Sequence, residues 1–150
     1  MRATPGDVAA ALWLGGHMPG DYWVQTGYQA ATKGQEGREG QAACLRHVAT
    51  MTAAKAAALG ALHLSGRKVS WRRAAAALAL EAGTHYFADR RRPLRALAER
   101  AGSGDFWRMG QPRPGHDDNV TMGTGAALLD QSWHAASAYL AALIAAGGAE

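Results

Sequence analysis

Ser70-Trp-Arg-Arg-Ala-Ala-Ala-Ala-Leu-Ala-Leu-Glu-Ala-Gly-Thr-His-Tyr-Phe-Ala-Asp-Arg90 decides how this chain reads. Its alanines and leucines favour helix, and it holds no proline. His85 and Asp89 close the stretch four residues apart, a spacing that stacks both side chains on one helix face. The same spacing recurs at His17/Asp21 and at Asp130/His134. Three such pairs arise in roughly a few per cent of shuffled chains of this composition, so the pattern asks for a cause. Helical bundles present metal ligands in this way.

The rest of the chain follows the same composition. Ala and Leu dominate its apolar content, β-branched residues are sparse, and 150 residues fit one ordinary domain. The expected class is all-α, a single helical domain over residues 1–150. Breaks at Gly, Pro and charge clusters leave four helices, about Gly6 to Ala31, Gly40 to Leu64, Ser70 to Arg90 and Gly123 to Ala146. Lys33 to Gly40 and Ser65 to Val69 are short connections between antiparallel neighbours, which predicts a four-helix up-and-down bundle. The third connection, Arg90 to Met122, is long. It carries a basic run, a short helix from Pro93 to Ala101 and the polar loop Gly110-Gln-Pro-Arg-Pro-Gly-His-Asp-Asp-Asn119, and excursions of this kind are often functional.

The single cysteine, Cys44, excludes a disulfide framework and any Cys-rich zinc module, so a metal here is held by nitrogen and oxygen. A net charge of +4 suits acidic partners such as phosphorylated substrates, nucleic acid or anionic lipid. No recognised DNA-reading motif accompanies it. Hydropathy alone leaves the membrane question open. The uncharged stretch from Gln131 to Ala149 is just long enough to span a bilayer, whereas other spans are interrupted by Arg46, Lys55 or Glu81.

Topology gathers the candidates. In an up-and-down bundle the end of helix one, the start of helix two, the end of helix three and the start of helix four share one end. His17, Asp21 and Gln25, then His47, then His85 and Asp89, then Asp130, Gln131 and His134 all fall there. Four histidines and three aspartates suffice for one zinc or for two metals bridged by carboxylate. The mixed set suits a divalent transition metal, zinc, manganese, iron or nickel. Gln25 and Gln131 are placed to position a metal-bound water, and Arg90, Arg91 and Arg113 to offset charge on a phosphate ester.

These motifs, His17-x-x-x-Asp21-x-x-x-Gln25, His47, Thr84-His85-Tyr-Phe-Ala-Asp89 and Asp130-Gln131-Ser-Trp-His134, touch all four helices. The chain resembles the small bacterial proteins catalogued as domain of unknown function 3307, and more distantly small membrane metal-dependent hydrolases. The resemblance implies a multi-pass helical protein of the cell membrane with no established activity; a cytoplasmic bundle is the alternative. Family members often carry a second histidine beside the one in helix two, where this chain has Met51.

Other residues read more plainly. His63 is a polar helix-end residue and His116 a loop residue. Asp117 and Asp118 are expected to cap a helix. Trp13, Trp23, Trp71, Trp107 and Trp133 suit core packing or membrane-interface anchoring. No serine sits in a nucleophile elbow, and Gly34 to Gly40 and Gly102-Ser103-Gly104 read as flexible turns. The functional expectation is a metal-dependent hydrolase acting on a phosphoester or other small anion. The alternatives are a non-enzymatic structural or metal-sensing membrane protein and a basic nucleic-acid-binding regulator.

Overall fold

The structure, a computed structural model, describes residues 1–112, 115 and 123–147. The described residues are all-α, with seven α-helices and no strand: α1 (Pro5–Ala10), α2 (Gly27–Thr32), α3 (Gly37–Leu64), α4 (Trp71–Asp89), α5 (Arg92–Arg100), α6 (Gly104–Arg108) and α7 (Gly125–Ala146). Between α1 and α2 the chain winds as two π-helical stretches, Ala11–His17 and Gly20–Val24. α4 packs on both α3 and α7, α1 packs on α7, and the first π-helical stretch lies on α3; α1 with its π-helical continuation, α3, α4 and α7 are the rods that carry the site.

The first rod departs from the continuous helix expected over Gly6 to Ala31. Thr4 opens it with a capping box, its hydroxyl accepting from the Asp7 N–H while the Asp7 carboxylate accepts from the Thr4 N–H. The ladder then loosens where glycines let the backbone close on α3. A Cβ at Gly16 would meet the Lys55 Cα at 2.8 Å, and one at Gly20 would meet the Met51 sulfur at 2.5 Å. Gln25 turns to extended geometry, and a second capping box of Thr26 and Gln29 starts α2. Pi-helical turns widen a helix and frequently accompany functional sites; here they carry His17 and Asp21.

The short helix expected from Pro93 to Ala101 is present as α5. Gly104, read in the sequence as part of a turn, begins α6 instead. α7 is capped by Thr124, whose hydroxyl accepts from the Ala127 N–H. Asp117 and Asp118, the expected caps, lie outside the described residues, as do Arg113, His116 and Asn119.

Away from the histidines the core is built of small and branched side chains, Val8, Leu12, Leu59, Ala77, Ala138, Ala141, Ala142 and Ala145, all buried. Alanines on facing helices allow close approach, and each buried methyl adds dispersion contacts. A second cluster of Ala88, Leu94, Ala98 and Trp107 fastens α5 and α6 beside the site.

The multi-pass membrane expectation is overturned. Among the described residues no helix is long and apolar enough to cross a membrane. α3 carries Arg46 and Lys55 and α4 carries Glu81; α7, the most apolar, still carries Asp130, Gln131 and His134. Trp23 and Trp71 are exposed at 88% and 74%, so neither packs in the core.

Candidate metal centre

Four rods deliver the histidines to one buried point. His17 comes from the first π-helical stretch, His47 from α3, His85 from α4 and His134 from α7, and all four are at most 2% exposed. The His85 and His134 rings lie 4.1 Å apart between centroids, His17 and His134 4.7 Å, and His47 and His85 5.0 Å. Trp13 stacks on His17 at 4.4 Å and 9°, which fixes that ring.

The atoms turned inward are the ε nitrogens. His47 Nε2 lies 3.0 Å from His85 Nε2, 3.1 Å from Asp21 Oδ1 and 3.3 Å from Asp89 Oδ2. His85 Nε2 lies 3.2 Å from the same Asp89 oxygen and 4.0 Å from Asp21 Oδ1. One imidazole ε nitrogen carries at most one proton, so these approaches cannot all be hydrogen bonds. Indeed Asp21 Oδ1 and Asp89 Oδ2 are buried without a hydrogen-bond partner among the described residues, and so is His134 Nε2. Asp21, His47 and His85 instead offer donor atoms within 4.8 Å of one another, with Asp89 Oδ2 beside both imidazoles, the spacing of a ligand set. A metal bound at about 2.1 Å has tetrahedral ligand-to-ligand edges of about 3.4 Å.

Around that set stand the remaining candidates. His17 Nε2 is 3.2 Å from Asp21 Oδ2, and His134 Nε2 is 3.6 Å from Asp130 Oδ1 and 3.9 Å from Asp89 Oδ1. All seven side chains expected as ligands, His17, Asp21, His47, His85, Asp89, Asp130 and His134, enter close groups of metal-ligand type. Gln131 joins three of them, donating to Asp21 Oδ2 and Asp130 Oδ2 at 3.4 Å and placing its amide oxygen 3.4 Å from His17 Nε2. Gln25 donates to the Asp21 carbonyl at 3.3 Å, with its own amide oxygen buried and unpartnered.

Protonation follows from this packing. Burial is the largest influence on His85 and holds it down to about 3, against the pull of Asp89. His17 is lowered by burial too. Burial pushes the Asp21 carboxyl up, but the contacts of His17 and His47 outweigh it and hold the group well below the usual carboxylate range. Asp89 behaves alike, with His85 as the principal opposing contact. Neutral imidazoles beside ionised carboxylates are the protonation states that metal ligands require.

The arginines expected to bind an anion divide. Arg90 donates to the carbonyls of Lys33 at 2.7 Å and Gln35 at 2.6 Å, which ties α4 to the first connection. Arg91 lines the cleft described below. Its backbone holds a left-handed φ of 57°, and its side chain lies so close over Gly34 that a Cβ there would meet Arg91 Cδ at 2.7 Å. Arg113 lies outside the described residues. His63 sits at the far end of the molecule, its ring nitrogen accepting from the Val69 N–H at 3.2 Å.

Three participants escaped the sequence reading. The sequence places Lys33 in a connection between helices, yet its ammonium is 2.9 Å from Asp89 Oδ1. Lys55 and Glu81 read in the sequence as interruptions of apolar runs, yet they form a buried ion pair between α3 and α4. Lys55 follows His47 by eight residues and Glu81 precedes His85 by four. Those helical spacings put each on the face of its histidine, and that was the signal available.

The centre is open on one side. A cleft of about 800 Å³ is bordered by Asp21, Asp89 and Asp130 on one wall, Gln25 and Gln131 beside them, and Lys33 and Arg91 as its cations. Trp107, Leu128 and Pro112 supply its apolar lining. Comparison with known proteins returns no match: no family model, curated protein or solved structure aligns with the chain.

Proposed function

We propose that this protein binds a divalent transition metal and hydrolyses an anionic substrate, a phosphoester or a similar small ester. The observation that carries the reading is the approach of Asp21 Oδ1 and Asp89 Oδ2 to both His47 Nε2 and His85 Nε2, which with the contact between the two imidazoles makes five contacts of 3.0 to 4.0 Å. These fit ligands gathered about an ion better than a hydrogen-bond network, since each ε nitrogen carries at most one proton. In this reading the four rods form an up-and-down bundle, the architecture that brings ligands from separate helices to one end. Kinship with the domain of unknown function 3307 proteins is part of the proposal and rests on the same histidine and aspartate spacing.

The cleft favours catalysis over a closed structural site. Structural metal sites are saturated by protein, whereas catalytic ones keep a position for water. Asp130, its side chain 28% exposed, lines the cleft with Asp21 and Asp89, so a substrate would approach the metal from that wall. A bound metal brings the pKa of its water to about 7, which supplies hydroxide at neutral pH. Gln131 holds two of the carboxylates in place, and Gln25 offers an unpartnered oxygen to the attacking water. Lys33 and Arg91 meet the charge of the substrate. Zinc, manganese, iron and nickel all suit such ligands.

Elemental analysis after equilibration with each metal and desalting tests the first half. The intact chain retains at least one equivalent, and His85→Ala and His134→Ala retain less; unchanged metal content in both variants refutes the site. Hydrolysis of bis(p-nitrophenyl) phosphate by the loaded protein, abolished by a chelator and restored by metal, tests the second half.

A further inference from the structure

We propose that the centre holds two divalent cations bridged by the carboxylate of Asp89. The proposal rests on the metal-binding reading above and adds its stoichiometry. The two oxygens of Asp89 face different ligands. Oδ2 lies 3.3 Å from His47 Nε2 and 3.2 Å from His85 Nε2, while Oδ1 lies 3.9 Å from His134 Nε2 and also accepts from the Lys33 ammonium at 2.9 Å. Asp21 divides in the same way, Oδ1 towards His47 at 3.1 Å and Oδ2 towards His17 at 3.2 Å.

One cation uses Asp21, His47 and His85 with Asp89 Oδ2 beside them, and leaves a second set idle. Asp89, Asp130 and His134 offer donor atoms within 4.8 Å of one another. His134 is 2% exposed, and its Nε2 is buried with no hydrogen-bond partner among the described residues. An orphaned imidazole nitrogen aimed at two carboxylates is costly unless something positive binds there. His17, grouped with His85 and His134 in a third set, stands beside the second position.

Charge points the same way. Among the groups in mutual contact at the centre, Asp21, Asp89 and Asp130 against the Lys33 ammonium leave two negatives, three less one, with Arg91 a further cation on the cleft wall. The first divalent cation neutralises those two negatives, and the second makes the centre positive, the sign an anion in the cleft requires. Paired metals on a shared carboxylate act as a clamp for the attacking and leaving oxygens of a displacement.

The test uses the full metal-free chain. Zinc titration with elemental analysis counts retained ions, and manganese titration followed by electron paramagnetic resonance reads their proximity. The intact chain retains two equivalents, and its spectrum passes from that of an isolated manganese ion to a broadened, exchange-coupled one as the second binds. Asp130→Asn, at a side chain 28% exposed and so tolerant of change, retains one equivalent and shows only the isolated ion. An intact chain that stops at one equivalent, or takes two that do not couple, overturns the proposal and leaves the metal-binding reading standing. Retention of neither metal overturns both.

Discussion

Lys55 and Glu81 form an ion pair sealed from water beneath the histidine cluster, at 1% and 2% exposure. Gly16 has no side chain because the Lys55 stem passes where one would stand. The pair carries no net charge when both members are present. It becomes a buried unpaired charge when either is removed.

That asymmetry predicts a coupled loss of stability. Lys55→Met leaves the Glu81 carboxylate buried and unpaired and lowers the unfolding free energy by about 3–5 kcal/mol. The double variant Lys55→Met with Glu81→Leu recovers most of that loss. Denaturant unfolding of the metal-free proteins measures both; a double variant no better than Lys55→Met alone refutes the pairing.

Acid weakens the metal-free protein over a stated window. His85 is held by burial at about 3 against an ordinary 6.5, so the unfolded chain binds a proton that the folded chain refuses. Stability on this account is present above pH 6.5 and falls as pH drops towards 3. Asp21 and Asp89, both lowered from 3.8, add a second loss that begins near that value and continues below it. Urea midpoints taken between pH 7.5 and pH 4 decline steadily, and the limb above pH 4 flattens in His85→Gln. A midpoint that rises on acidification contradicts the burial of neutral imidazole.

Arg91 separates strain from charge. Its left-handed backbone suits glycine, so Arg91→Gly is more stable than Arg91→Ala by about 1 kcal/mol. Both substitutions remove a guanidinium from the cleft, and both weaken inhibition of the metal-loaded protein by inorganic phosphate. Equal stability of the two variants removes the strain, and unchanged inhibition removes the anion role.

The four-residue pairs His17/Asp21, His85/Asp89 and Asp130/His134 were legible because the helical period is local: side chains four apart share a face whatever surrounds them. Ala-rich composition announced helices for the same reason. The position of α5 was readable from Pro93 and its flanking charges. The break in the first rod was not, because it arises from backbone contact of Gly16 and Gly20 with Lys55 and Met51, residues far along the chain. The membrane expectation came from a resemblance and failed on the polar residues each long helix carries.

Sequence by itself determined that this chain is helical and that imidazoles and carboxylates recur with the helical repeat, since propensity and periodicity act between near neighbours. Tertiary structure alone decided which oxygen of Asp89 faces which histidine, that Lys33 joins the carboxylates, and that Lys55 and Glu81 find each other out of reach of water. Those relations depend on how separate helices rotate and approach when they pack, and packing is set by the whole core at once.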